Sequence, residues 1–98
     1  MVVKRWIWTV KNRDDALEWI KFIRKRFNAS IAVRVFLPIE GAASNVIVWE
    51  EEHESLAECE RHSSERKSDP DWDALVTARY SETFIDGRKE IWETVDLE

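Results

Sequence analysis

Apolar residues recur along this chain with a period near two in some stretches and near 3.6 in others, and the switches mark out its elements. Val2 to Lys11 is dense in β-branched and aromatic residues and predicts a strand. Both of its alternating sets carry bulk: Trp6, Trp8 and Val10 on one, Val3, Ile7 and Thr9 on the other. From Arg13 to Phe27 the period lengthens, and Ala16, Trp19, Ile20, Ile23 and Phe27 form a helical stripe. Asn12 is placed to cap that helix, with Asp14 and Asp15 in the first turn, where the helix dipole favours carboxylates. Ser30 to Ile39 returns to a period of two: Ile31, Val33, Val35, Leu37 and Ile39 are aliphatic, against Ala32, Arg34, Phe36 and Pro38. Glu40 to Asn45, with Gly41, predicts a hairpin loop, and Val46 to His53 a third strand. In that strand Ile47, Trp49, Glu51 and His53 share one face, and Val46 and Val48 the other. Ser55 followed by Glu58 is a capping box, so a second helix is expected to about Lys67. Ser68-Asp69-Pro70-Asp71 is a further helix start, with Asp71 placed to close another box and Trp72, Leu75, Val76 and Arg79 on one face. Asp86-Gly87 reads as a tight turn before a last strand from Lys89 to Val95.

The resulting order, β-α-β-β-α-β, predicts an α+β, ferredoxin-like fold with a four-stranded antiparallel sheet and helices on one face. Ninety-eight residues suit one domain, spanning 1–98. On an isolated chain the other sheet face should be polar. Here Phe36 and Arg34, one of Ile91 and Trp92, and the bulky pair Trp6 and Trp8 are available to it. An aromatic face of that kind needs a cover, and a second copy of the sheet is the simplest one, closing an α/β barrel as a homodimer.

Charge narrows the partners. Residues 1–48 hold nine Lys/Arg against four Asp/Glu, and residues 49–98 hold six against sixteen, which gives the net −5 of the chain. Nucleic acid demands a basic footprint, and the third strand instead carries Glu50, Glu51 and Glu52, so RNA binding through a sheet of this strand order is excluded. No apolar run approaches the ~20 residues of a membrane span. A lone cysteine, Cys59, fits a reducing compartment, and Met1 leads straight into a strand with no apolar signal segment. The expectation is a cytoplasmic protein that binds neither nucleic acid nor membrane.

Val48-Trp49-Glu50 running into Ser55-Leu56-Ala57-Glu58, the later Asp69-Pro70-Asp71-Trp72, and the Trp-rich sheet resemble the dimeric α/β-barrel superfamily. Within it the chain looks most like NIPSNAP-like proteins and the antibiotic-biosynthesis and haem-degrading monooxygenases. The resemblance implies two sheets packed face to face, each half holding a ligand between sheet and helices. It implies that Trp49 lines the substrate and that His62 lies near the position of a haem ligand. The first-strand Asn of haem-degrading members has no counterpart in Lys4-Arg5-Trp6-Ile7-Trp8, which argues against haem degradation. The cofactor stays open: none is required, and haem is the one the resemblance allows.

Candidate chemistry concentrates in Glu50, Glu52, His53, Glu58 and His62. His53 is chemically suited to act as a base near neutral pH, and His62 is the rival catalytic candidate. Glu58 and His62 are one helical turn apart, but their spacing matches no metal signature, and no metal is expected. Trp6, Trp8, Arg34, Phe36, Trp49 and Trp92 are read as lining either a ligand pocket or a dimer interface. Two functional classes therefore stay open. One is a monooxygenase-like homodimer acting on a hydrophobic or aromatic small molecule. The other is a non-catalytic small-molecule-binding or assembly dimer.

Overall fold

Val2–Val10 form the central strand β1 of a four-stranded antiparallel sheet in a computed structural model that describes residues 1–98. The chain continues through helix α1 (Arg13–Phe27), strands β2 (Ala32–Phe36) and β3 (Val46–His53), and helix α2 (Leu56–Ser68). Short helices α3 (Trp72–Leu75) and α4 (Tyr80–Thr83), separated by a 3-10 turn at Thr77–Arg79, lead to strand β4 (Phe84–Glu93). The strand order is β2-β3-β1-β4, the ferredoxin-like arrangement.

The Asn12 and Ser55 caps act as the sequence anticipates, but the return half of the Ser55–Glu58 box is not made, because Arg61 takes the Glu58 carboxylate. Asn12 Oδ1 accepts the amide of Asp15 at 3.0 Å, and Ser55 Oγ accepts that of Glu58 at 3.2 Å, each satisfying an amide the helix leaves free. Cross-strand register then decides which side chains the helices cover. Trp6 pairs with Trp49 and Lys4 with Glu51, so Lys4, Trp6, Trp8 and Val10 share the helix side with Ile47, Trp49, Glu51 and His53. Val10, Ile47, Ala16, Ile20, Ile23, Val76 and Phe84 form the apolar heart beneath α1.

Four other expectations change. The second strand is shorter than Ser30–Ile39, because pairing with β3 ends at Phe36, two residues before Pro38, whose ring nitrogen has no proton to donate. The helix beginning after Pro70 breaks into two single turns around the 3-10 segment. Asp71 closes no box; instead Asp69 accepts the Asp71 amide at 2.9 Å, and Arg26 of α1 clasps both carboxylates. Finally, Asp86-Gly87 is not a turn but lies inside β4, which starts at Phe84 rather than Lys89.

Packing explains that glycine. Gly87 pairs with Trp8, and a Cβ there would collide with the Tyr80 hydroxyl and sit 2.9 Å from Trp8 Cδ1. Gly87→Ala should therefore destabilise the protein by about 1 to 3 kcal/mol through overpacking, read as a lower urea midpoint with unchanged slope. A neutral result would mean that Tyr80 and Trp8 are free to move aside.

Candidate functional site

Five of the six tryptophans, Trp6, Trp8, Trp19, Trp49 and Trp72, line one cavity of about 350 Å³ between the sheet and the helices. β1 and β3 supply the floor, α1 supplies Trp19 and Ile23, and α2 to α4 supply Arg66, Trp72, Val76 and Tyr80. Ring contacts bind this wall together: Trp6 stacks near Trp8 at 6.2 Å, Trp8 tilts against Trp49 at 6.1 Å, and Trp19 meets Phe84 edge-on at 5.1 Å. Arg66 lies over the Trp72 ring at 4.9 Å. The volume is at the small end for ligand pockets and suits a molecule of one or two rings.

One end of the cavity is polar and buried. Glu51, 1% exposed, accepts Trp49 Nε1 at 2.8 Å and His53 Nε2 at 2.9 Å, with Arg66 Nη1 at 3.4 Å. Burial opposes ionisation of Glu51, but Lys4, His53, Trp49 and Arg66 outweigh it and hold its carboxyl below the usual range. Lys4, 3% exposed, donates Nζ to Ser63 Oγ at 2.9 Å. Burial pulls the Lys4 ammonium down against the opposing pull of Glu51. Asn28, just past the end of α1 and fully buried, accepts Arg66 Nη1 at 3.1 Å and donates Nδ2 to the Ile23 carbonyl at 3.1 Å.

His53 and His62 stand behind this end. Neither is on the cavity wall; their rings are 5.6 Å apart, and each reaches the cavity through one partner. His53 backs Glu51, while His62 Nε2 lies 3.0 Å from Asn28 Oδ1. Since that oxygen only accepts, His62 carries its proton on Nε2. Burial depresses His62 protonation, with Arg66, His53 and Lys4 adding to the effect and Glu51 opposing it. Glu58 is turned away toward Arg61, so it does not meet His62, and no group of three or more His, Cys, Asp or Glu side chains is arranged to hold a metal ion.

The six residues read as pocket or interface divide cleanly. Trp6, Trp8 and Trp49 face the cavity, which removes Trp6 and Trp8 from the open sheet face. Arg34, Phe36 and Trp92 lie on that open face. There Arg34 and Arg5 grip Glu50 and hold its carboxyl down against the effect of burial, while Phe36 and Trp92 stay 44% and 54% exposed. Phe36, Ile7, Val48, Arg5, Arg88, Glu50 and Glu90 line a shallower hollow of about 340 Å³ on this face. Lys4, Glu51, Asn28 and Arg66 are the residues that motif reading passes over. Alternation alone points to two of them, since Lys4 shares the parity of Trp6 and Trp8, and Glu51 that of Trp49 and His53.

No protein-family model matches the chain, and no curated protein matches it closely in sequence. Solved structures do match it in shape. A NIPSNAP domain protein from Burkholderia xenovorans superposes with a TM-score of 0.77 at 14% identity, covering 99% of this chain and 97% of that one. A NIPSNAP family protein of unknown function from Agrobacterium tumefaciens gives 0.77 at 16% identity, covering 100% and 91%. A DABB family protein with a ferredoxin-like fold from Mesorhizobium loti gives 0.67 at 11% identity, covering 97% and 98%. The chain thus has the ferredoxin-like fold of the NIPSNAP and DABB domains along nearly its whole length.

Proposed function

We propose that this protein is a homodimeric binder of a hydrophobic, aromatic small molecule, held between its sheet and helices. The cavity walled by five tryptophans carries the reading. Indole rings provide large, rigid contact area with little side-chain freedom to lose, which suits stacking on a flat ligand. The half-exposed Phe36 and Trp92, among arginines and glutamates able to pair across a two-fold axis, support a second copy on the open face. The single cysteine supports a cytoplasmic setting.

Monooxygenase-like turnover is the second reading, favoured by the Glu51–His53 pair at the cavity's polar end. Glu51 is a weak base while three donors stabilise its charge, which ranks turnover below binding. Titration with 2-methoxynaphthalene, followed by calorimetry, tests the first reading, and light scattering tests the dimer. One saturable site per chain is expected, together with twice the chain mass and loss of binding in Thr77→Trp, which places a bulky ring at the cavity rim. No saturable heat, or an unaffected Thr77→Trp, would sink the binding reading; a monomer would sink the dimer. Oxygen uptake with 1,2-dihydroxynaphthalene that survives in His53→Ala would remove His53 from the turnover reading.

A further inference from the structure

We propose that the cavity ligand is an aromatic acid, with its anionic group at the Lys4–Arg66 end and its rings along the tryptophan wall toward Trp8. The inference rests on the binding reading above and adds polarity and direction to it.

One buried charged donor on the cavity wall, Arg66 Nε, has no acceptor within the protein, whereas Trp8 Nε1 at the other end has the Tyr80 hydroxyl beside it. The Arg66 side chain is 8% exposed, so bulk water does not readily replace the missing partner. Such orphan donors are rare in folded proteins, and a bound acceptor is a ready explanation. Arg66 spends Nη1 on Asn28 and Glu51, which leaves Nε available. Lys4 Nζ, with three donors to offer, has Ser63 Oγ as its one hydrogen-bond partner.

Charge points the same way. Lys4, Arg66, Lys67 and Lys89 line the cavity against one carboxylate, Glu51, inside a chain whose net charge is −5. Glu51 neutralises one of the two buried cations, so the floor retains about one positive charge in a low-dielectric setting, where an anion is held strongly. The ring-binding wall runs from the anionic end along β1. Lys4 and Trp8 are four residues apart on the same strand face, roughly 13 Å at the usual strand rise. Aromatic walls fill the interval, and a fused two-ring acid with a substituent at its far end matches both the length and the flatness.

Four probes separate the terms by calorimetry on the intact protein. They are 6-methoxy-2-naphthoate, its methyl ester, 2-naphthoate and 2-methoxynaphthalene. The methoxy acid should bind at least tenfold tighter than its ester, and 2-naphthoate should bind several-fold weaker than the methoxy acid. Lys4→Met should erase the preference for acid over ester while still binding 2-methoxynaphthalene. Should Lys4→Met fail to fold, the exposed rim variant Lys89→Gln and the wild-type probe series carry the test, with Lys89→Gln reducing the acid preference. Equal binding of acid and ester overturns the anionic pole while leaving the aromatic-ligand reading intact. Equal binding of the two acids overturns the extension of the ligand to the Trp8 end. Binding of none of the four overturns both the inference and the reading beneath it.

Discussion

Glu51→Ala is expected to destabilise the fold by about 3 to 5 kcal/mol, because it strands Lys4 and Arg66 as buried cations without their shared carboxylate. Trp49 Nε1 and His53 Nε2 would lose their acceptor in the same step. For a chain of this size each kcal/mol moves the melting temperature by roughly 4 to 8 °C, so the loss is large enough to leave a substantial unfolded fraction. Glu52→Ala is the control: that side chain is exposed on the same strand, and its removal should change stability by about 0.5 kcal/mol or less. Similar losses in the two variants would mean that Glu51 does not organise the buried charges.

Acid should expose the same network in the wild type. Histidine 62 has a folded pKa below its ordinary 6.5, so between those two values the unfolded chain holds the extra proton. Stability therefore falls as pH drops through that window. Glu51 and Glu50 have folded values below their ordinary 4.5, so their contribution is complete above 4.5 and is lost as pH falls through the folded values. Lys4 acts in the alkaline range: its folded value lies below 10.5, so stability rises with pH between the two. Melting temperature against pH should thus decline from about pH 6.5 and steepen below 4.5, with Glu51→Ala flattening the lower step. An unchanged lower step in that variant would assign it to the other carboxyls held low, Glu50, Glu58 and Asp69.

Local signals made the elements legible. The Asn12 cap and the stripe from Ala16 to Phe27 locate α1, and the Ser55–Glu58 box locates the start of α2, because capping acts within one turn of chain. Faces were legible only where one alternating set was plainly bulkier. In β3 that worked, and Trp49, Glu51 and His53 share a face as expected. In β1 both sets are bulky, and only pairing with β3 shows that Trp6 and Trp8 turn toward the helices. Gly87 misleads for a related reason: an Asp-Gly pair reads as a turn, whereas this glycine makes room for a ring some eighty residues earlier in sequence. The buried cations were hidden by a sound general rule, that lysine and arginine stay at the surface unless paired. Their pairing with Glu51 spans three elements, and no local pattern records it.

The division of the aromatic residues into cavity wall and open face yields the other large effect. Trp49 is 2% exposed, its ring lies 6.1 Å from that of Trp8, and its indole N–H supports Glu51. Trp49→Ala should cost about 3 to 5 kcal/mol, from lost packing and the void left in the wall. Trp49→Phe keeps most of the packing but removes one donor from Glu51, so a loss of about 1 to 3 kcal/mol is expected. Trp92 has the same side chain in the opposite setting, 54% exposed on the open face with its N–H 3.2 Å from Glu90. In the separated chain Trp92→Ala should change stability by about 0.5 kcal/mol or less. In the proposed homodimer its effect should instead fall on association. Urea unfolding at several protein concentrations, read beside light scattering, separates the two cases. Trp49→Ala should lower the midpoint at every concentration, while Trp92→Ala should reduce the dependence of the midpoint on concentration. Matching behaviour in the two variants would overturn the division, since a tryptophan in the cavity wall and one at a subunit contact respond to different variables.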